Sequence, residues 1–208
     1  MARISDVTIK DEALYWDHRF QRHTIKLLPG DFDVVSGEEM LVTVLGSCVA
    51  ACIRDTKSGI GGMNHFLLPT ENKKNRANNN WQDYDSAATR YGDLAMEQLI
   101  NKIINLGGKR ENLEAKIFGG AKMFTTSLSD IGGQNIAFVN EYLKTEGIKV
   151  VKKDMAGTNA RKVYYIPSTG DVFLKRITHT KNNTIEVRER EYLNEAQNAR
   201  TIADISFF

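Results

Sequence analysis

The sequence predicts a single domain of the α/β or α+β class built on a mixed β-sheet, and three observations predict it. Short apolar runs alternate with longer stretches of helical periodicity, and Gly- and Pro-centred turns separate them. The chain of 208 residues, 41% hydrophobic and 26% charged, is long enough for one good-sized core and has the balance of an ordinary globular protein. Basic and acidic residues nearly cancel at a net charge of +2, and no aromatic-studded basic stripe is present, which argues against nucleic acid as a partner. The opening "MARISDVTIKDEALYWDHRF" lacks the apolar stretch of a signal peptide and no later run is long enough to span a bilayer, so the expectation is a cytoplasmic protein without membrane insertion.

In chain order, residues 1–23 mix Trp16, His18, Phe20 and His23 with charges and are expected to form an N-terminal extension. "TIKLLPGDFDVV" sets a Pro-Gly turn between two β-prone runs, and "EEMLVTVL" continues the β-rich opening. "VAACIRD" and "IGGMNHFLLP", bounded by turn residues around "TKSG", read as adjacent strands, with His65 on the second. The polar run Thr70–Ser86 reads as a long surface loop, a possible lid. "SAATRYGDLAMEQLINKIINLGG" places Leu94, Met96, Leu99, Ile100, Ile103 and Ile104 near helical spacing before a Gly-Gly stop. "LEAKIFGGAKMF" reads as a buried strand entering a glycine turn, "IGGQNIAFVNEYLKTEG" as a second helix and "IKVVKKDM" as a strand. "RKVYYIPSTGDVFLKRIT" reads as a hairpin around Ser-Thr-Gly. The tail, residues 179–208, is charge-rich with a short helix expected from Glu186 to about Ala199.

The two cysteines pose different problems. A free cysteine is commonly a small core residue, and that reading suits Cys52, inside an apolar strand. Cys48 follows Gly46 and Ser47, and a glycine turn leaves backbone N–H groups free to face an anion near the sulfur. A structural zinc site wants four ligands, and a Cys-x3-Cys pair with scattered histidines does not complete one; no metal is expected. A nucleophilic cysteine needs help to ionise, and His65 is the histidine in a strand-like run beside the cysteine strand. The alternative, a satisfied strand histidine, stands beside it. If Cys48 is the nucleophile, it is expected to face solvent.

"LGSCVAACIRD", "GGMNHFLLP", "KIFGGAKMF", "IGGQN" and "RKVYYIPSTGDVFLKR", in that order, resemble the CheD family of chemoreceptor glutamine deamidases from about Thr24 to Thr178. The resemblance implies a three-layer α/β sandwich, similar to deamidating toxin domains such as cytotoxic necrotizing factor, over residues 24–178. It implies a Cys-His-Thr hydrolase without a cofactor: Cys48 matches the nucleophile, His65 the histidine, and Thr43, the one threonine of its strand, the third member, with Ser47 the nearest competitor. Gly46, Ser47, Gly62 and Asn64 are then oxyanion or substrate-binding residues. The implied substrates are glutamines in the cytoplasmic domains of methyl-accepting chemoreceptors, with glutamyl methyl-ester hydrolysis as a side activity. The implied partner is the CheY-phosphate phosphatase CheC. The alternative is a non-catalytic adaptor that binds and stimulates a CheC-type phosphatase; a binding module, however, requires no nucleophile and base together.

Overall fold

Strands rich in Val, Ile and aromatic residues form the larger share of the regular structure among the described residues, and helices with one apolar face each complete its packing. A computed structural model of the chain describes residues 13–68, 87–122, 130–178, 184–185 and 187–194. The strands are β1 (Leu14–Asp17), β2 (Arg22–Lys26), β3 (Phe32–Val35), β4 (Met40–Leu45), β5 (Val49–Asp55) and β6 (Gly61–Asn64), followed by β7 (Leu113–Gly119), β8 (Lys149–Met155), β9 (Ala160–Ile166) and β10 (Asp171–Ile177). Helix α1 spans Ala87–Asn105, α2 spans Ile131–Thr145, and residues 187–194 form a third, α3. The expected lid loop lies outside the described residues.

Where one mixed sheet is expected, there are two, ordered β1-β2-β4-β9-β10 and β3-β6-β5-β7-β8. Each is mixed through a single parallel pair, β2 with β4 and β7 with β8. The Pro29-Gly30 turn therefore makes no hairpin: it carries the chain from the first sheet to the second, because β2 pairs in parallel with β4 and not with β3. The expected hairpin around Ser168–Gly170 does form, with Asp171 opposite Ile166.

The sheets stack face to face and α1 and α2 cover the far side of the second, giving three layers. The alternation of side chains along a strand explains why β5 reads as continuously apolar. Ala50 and Cys52 face the first sheet, whereas Val49, Ala51 and Ile53 face the helices. In α1, Met96, Leu99, Ile100 and Ile103 fill the helix-facing core, while Leu94 lies outside it, half exposed. Asp130 caps α2 by accepting from the Gly133 N–H. Burying a Leu or Ile in either core contributes roughly 1.5–3 kcal/mol. Residues 14–23, expected as an extension, contain β1 and the start of β2, and β2 pairs with β4. No described helix is long and apolar enough to cross a membrane.

Candidate active site

Strand parity places the candidate residues between the two sheets. Leu41, Thr43 and Leu45 alternate on β4, and Leu41 and Leu45 enter the inter-sheet core, so Thr43 points there as well. Met63 and Leu67 face the same core from β6 and its extension, which gives His65 the same side. A three-residue crossing, Gly46 to Cys48, joins β4 of one sheet to β5 of the other, and the sulfur of Cys48 ends in this core.

The loop Leu27–Asp31 clasps His65. Gly30 N–H donates to the His65 carbonyl at 2.7 Å, and His65 N–H donates to the Asp31 carbonyl at 2.9 Å. Thr43 Oγ1 donates to the Leu27 carbonyl at 2.9 Å and sits 2.7 Å from His65 Nδ1. Since the hydroxyl proton is committed to Leu27, Thr43 accepts from Nδ1–H, which fixes the tautomer and leaves Nε2 as the basic nitrogen. That Nε2 is buried and has no hydrogen-bond partner among the described residues.

The carbonyls of the crossing are all held on one side. Ala121 N–H donates to Gly46 at 2.8 Å, Asn135 Nδ2 to Ser47 at 2.9 Å, and Gly120 N–H to Cys48 at 2.7 Å. Gly119, with φ +117, lies so close that a Cβ there would collide with the Cys48 carbonyl. With the carbonyls tied back, the three N–H groups converge on a single anion, the carboxylate of Glu189 from α3. Gly46 and Cys48 donate to its Oε1 at 2.8 and 3.2 Å, and Ser47 donates to Oε2 through its N–H at 3.0 Å and its hydroxyl at 2.6 Å.

Ligand atoms of Cys48, His65 and Glu189 lie within 4.8 Å of one another, a donor set that invites a metal reading. The carboxylate, however, already accepts four protein hydrogen bonds, which leaves it no lone pair for an ion in this arrangement. Burial lowers the His65 pKa to about 4 against the opposing pull of Glu189, so the imidazole is neutral near pH 7. Burial, and then the adjacent Glu189 carboxylate, push the Cys48 thiol well up. Cys48 is fully buried, which corrects the expectation that it faces solvent: its sulfur lies in the inter-sheet core, with the Glu189 carboxylate of α3 within 4.8 Å. Cys52 is likewise buried, packed on β5 with its thiol raised by burial.

The structure thus brings together Cys48, His65, Thr43, Gly46 and Ser47. Gly62 and Asn64 do different work. Gly62 lies between Val34 and Leu99 on the helix side, where a Cβ would not fit. The Asn64 amide binds Ala51 N–H and the Ala95 carbonyl, pinning β5 and α1 to β6. Sequence reasoning missed Asn135, which donates to Ser47 and accepts from Leu68 N–H, although a buried Asn on an apolar helix face is a signal. It also missed Glu189, which resembles any other acid of a charged tail.

The family model described as CheD chemotactic sensory transduction matches residues 67–176. A protein of Halorhodospira halophila (strain DSM 244 / SL1) named "Probable chemoreceptor glutamine deamidase CheD" is 45% identical over 93% of this chain and 88% of its own length. A Herminiimonas arsenicoxydans protein of the same name is 43% identical over 94% of both chains. "Probable chemoreceptor glutamine deamidase CheD 1" of Dechloromonas aromatica (strain RCB) is 44% identical over 93% of both.

Proposed function

Because the chain belongs to the CheD family, we propose that it deamidates glutamine side chains of chemoreceptors, with Cys48 as nucleophile, His65 as base and Thr43 as its orienting residue. The observation that carries this reading is the Thr43–His65 hydrogen bond beside Cys48 and a converging set of backbone donors. The Cys48 thiol gives its proton to His65 Nε2, and the sulfur attacks the carboxamide carbon. Charge developing on the amide oxygen is held by the N–H groups of the 46–48 crossing, a kind of contact whose removal costs about 3 kcal/mol of transition-state stabilisation per donor. The C–N bond breaks as the imidazolium protonates the departing nitrogen, releasing ammonia. A water then loses a proton to Nε2 and adds to the thioester carbon, the C–S bond breaks, the sulfur recovers the proton, and glutamate remains.

The finer parts of this reading are action at the receptors' cytoplasmic domains, docking of a CheC-type phosphatase at the same face, and hydrolysis of glutamyl methyl esters by the same thioester route. Mass spectrometry of a receptor cytoplasmic fragment tests the core claim: wild-type protein adds about 1 Da per converted glutamine, the replacement of an amide by an acid. Cys48→Ala is expected to abolish the gain while Cys52→Ala retains it. Activity surviving in Cys48→Ala overturns the assignment.

A further inference from the structure

The donors that a glutamine-derived oxyanion requires are already engaged by a side chain of the same molecule. Glu189 is held by more than its carboxylate. Leu193 is buried in the inter-sheet core, and Tyr192 packs near Tyr91, their ring centroids 6.4 Å apart. Tyr192 also lies over Gly30, so closely that a Cβ there would meet its ring. Positions 189, 192 and 193 fall at i, i+3 and i+4, so one face of α3 makes all three contacts.

The nest favours an acid over an amide. Each carboxylate oxygen receives two donors, and replacing either oxygen by NH2 would set an N–H against a backbone N–H. A glutamate side chain is also what the proposed reaction would leave on its substrate. We infer that the Gly46–Cys48 crossing is a binding site for a helix-borne glutamate, and that residues 187–194 supply this chain's own tethered ligand for it. The tail is a product mimic that leaves before a glutamine enters. While docked it covers the sulfur and, through its negative charge, disfavours the thiolate; departure uncovers and activates Cys48 in one step. Tethering gives such a segment an effective concentration of about 1 mM, which a receptor segment has to outcompete.

The product-mimic role rests on the deamidase reading, but occupancy of the site does not, and the experiment separates them. Full-length wild type, E189A and E189Q are treated with iodoacetamide near pH 7.5, with Cys52 as internal reference, and assayed in parallel on a receptor cytoplasmic fragment. E189A is expected to label at Cys48 at least about 10-fold faster than wild type, with Cys52 unchanged and E189Q between them. A synthetic peptide of residues 184–194 at about 1 mM should slow the E189A reaction, and the same peptide carrying Glu189→Gln should slow it less. On the receptor fragment, E189A should show a lowered KM. Cys48 labelling equal in wild type and both variants overturns the inference. Faster labelling in E189A with no receptor conversion by any form leaves the tail as a tethered ligand and removes the deamidase reading instead.

Discussion

The hydroxyl of Thr43 carries more of the candidate chemistry than its size suggests, because it selects which imidazole nitrogen holds the proton. Thr43→Val keeps the shape but strands a buried Nδ1–H, at a cost of about 1–3 kcal/mol, and allows the proton to move to Nε2, where it disables the base. The expected result is a loss of about 10- to 100-fold in kcat, with KM little changed and Thr43→Ser restoring most of the rate. His65 also couples the site to acid stability. Its pKa is about 4 when folded and about 6.5 unfolded, so the unfolded chain takes up the proton first as pH falls. The contribution is complete above about pH 6.5 and is lost as pH drops towards about 4, at most roughly 3 kcal/mol. Urea unfolding at pH 7 and pH 4.5 should show a smaller loss for His65→Gln than for wild type; equal losses refute the assignment. Cys48 and His65 stand out in the sequence because a thiol behind a glycine turn needs a base beside it to ionise, whereas Thr43 is reached only through the family resemblance. Glu189 is not, because its partners lie more than 140 positions away along the chain and its neighbours are ordinary surface charges.

Among the elements, the turn after β7 is the one whose backbone cannot change. Gly119 opposes Val49 in the β5–β7 ladder, and a side chain there meets both an unfavourable φ and the Cys48 carbonyl. Gly119→Ala is expected to destabilise by about 2–4 kcal/mol and to remove activity, whereas Gly147→Ala, at φ +68 with nothing within 4 Å, should cost only about 1 kcal/mol. Thermal melts of the two variants decide this, and similar losses would show that the crossing tolerates movement. Helices α1 and α2 and the β9–β10 hairpin are legible because their periodicity and turn residues are local. Strand β1 is not: Leu14, Tyr15 and Trp16 remain substantially exposed, so no alternation marks the strand, and only pairing with β2 defines it.

Across the whole molecule, the division into two sheets is the feature that local pattern does not reveal. The sheets part where consecutive strands, β2 and β3 or β4 and β5, take their partners from elsewhere in the chain, and a run such as "TIKLLPGDFDVV" reads the same whether its halves pair or part. The third layer and the mixed class follow from composition and alternation, but the seam does not, and the seam is where Cys48 sits. The crossing at that seam has one more consequence. Three consecutive amides, of Gly46, Ser47 and Cys48, donate to a side chain on a separate helix and not to the sheets that flank them. Their hydrogen exchange with deuterated solvent should therefore follow the opening of α3 and not the global unfolding that governs the neighbouring ladder amides of β5. The ratio of the two protection factors then gives the free-energy difference between opening α3 and unfolding the whole domain, available without substrate, label or mutation.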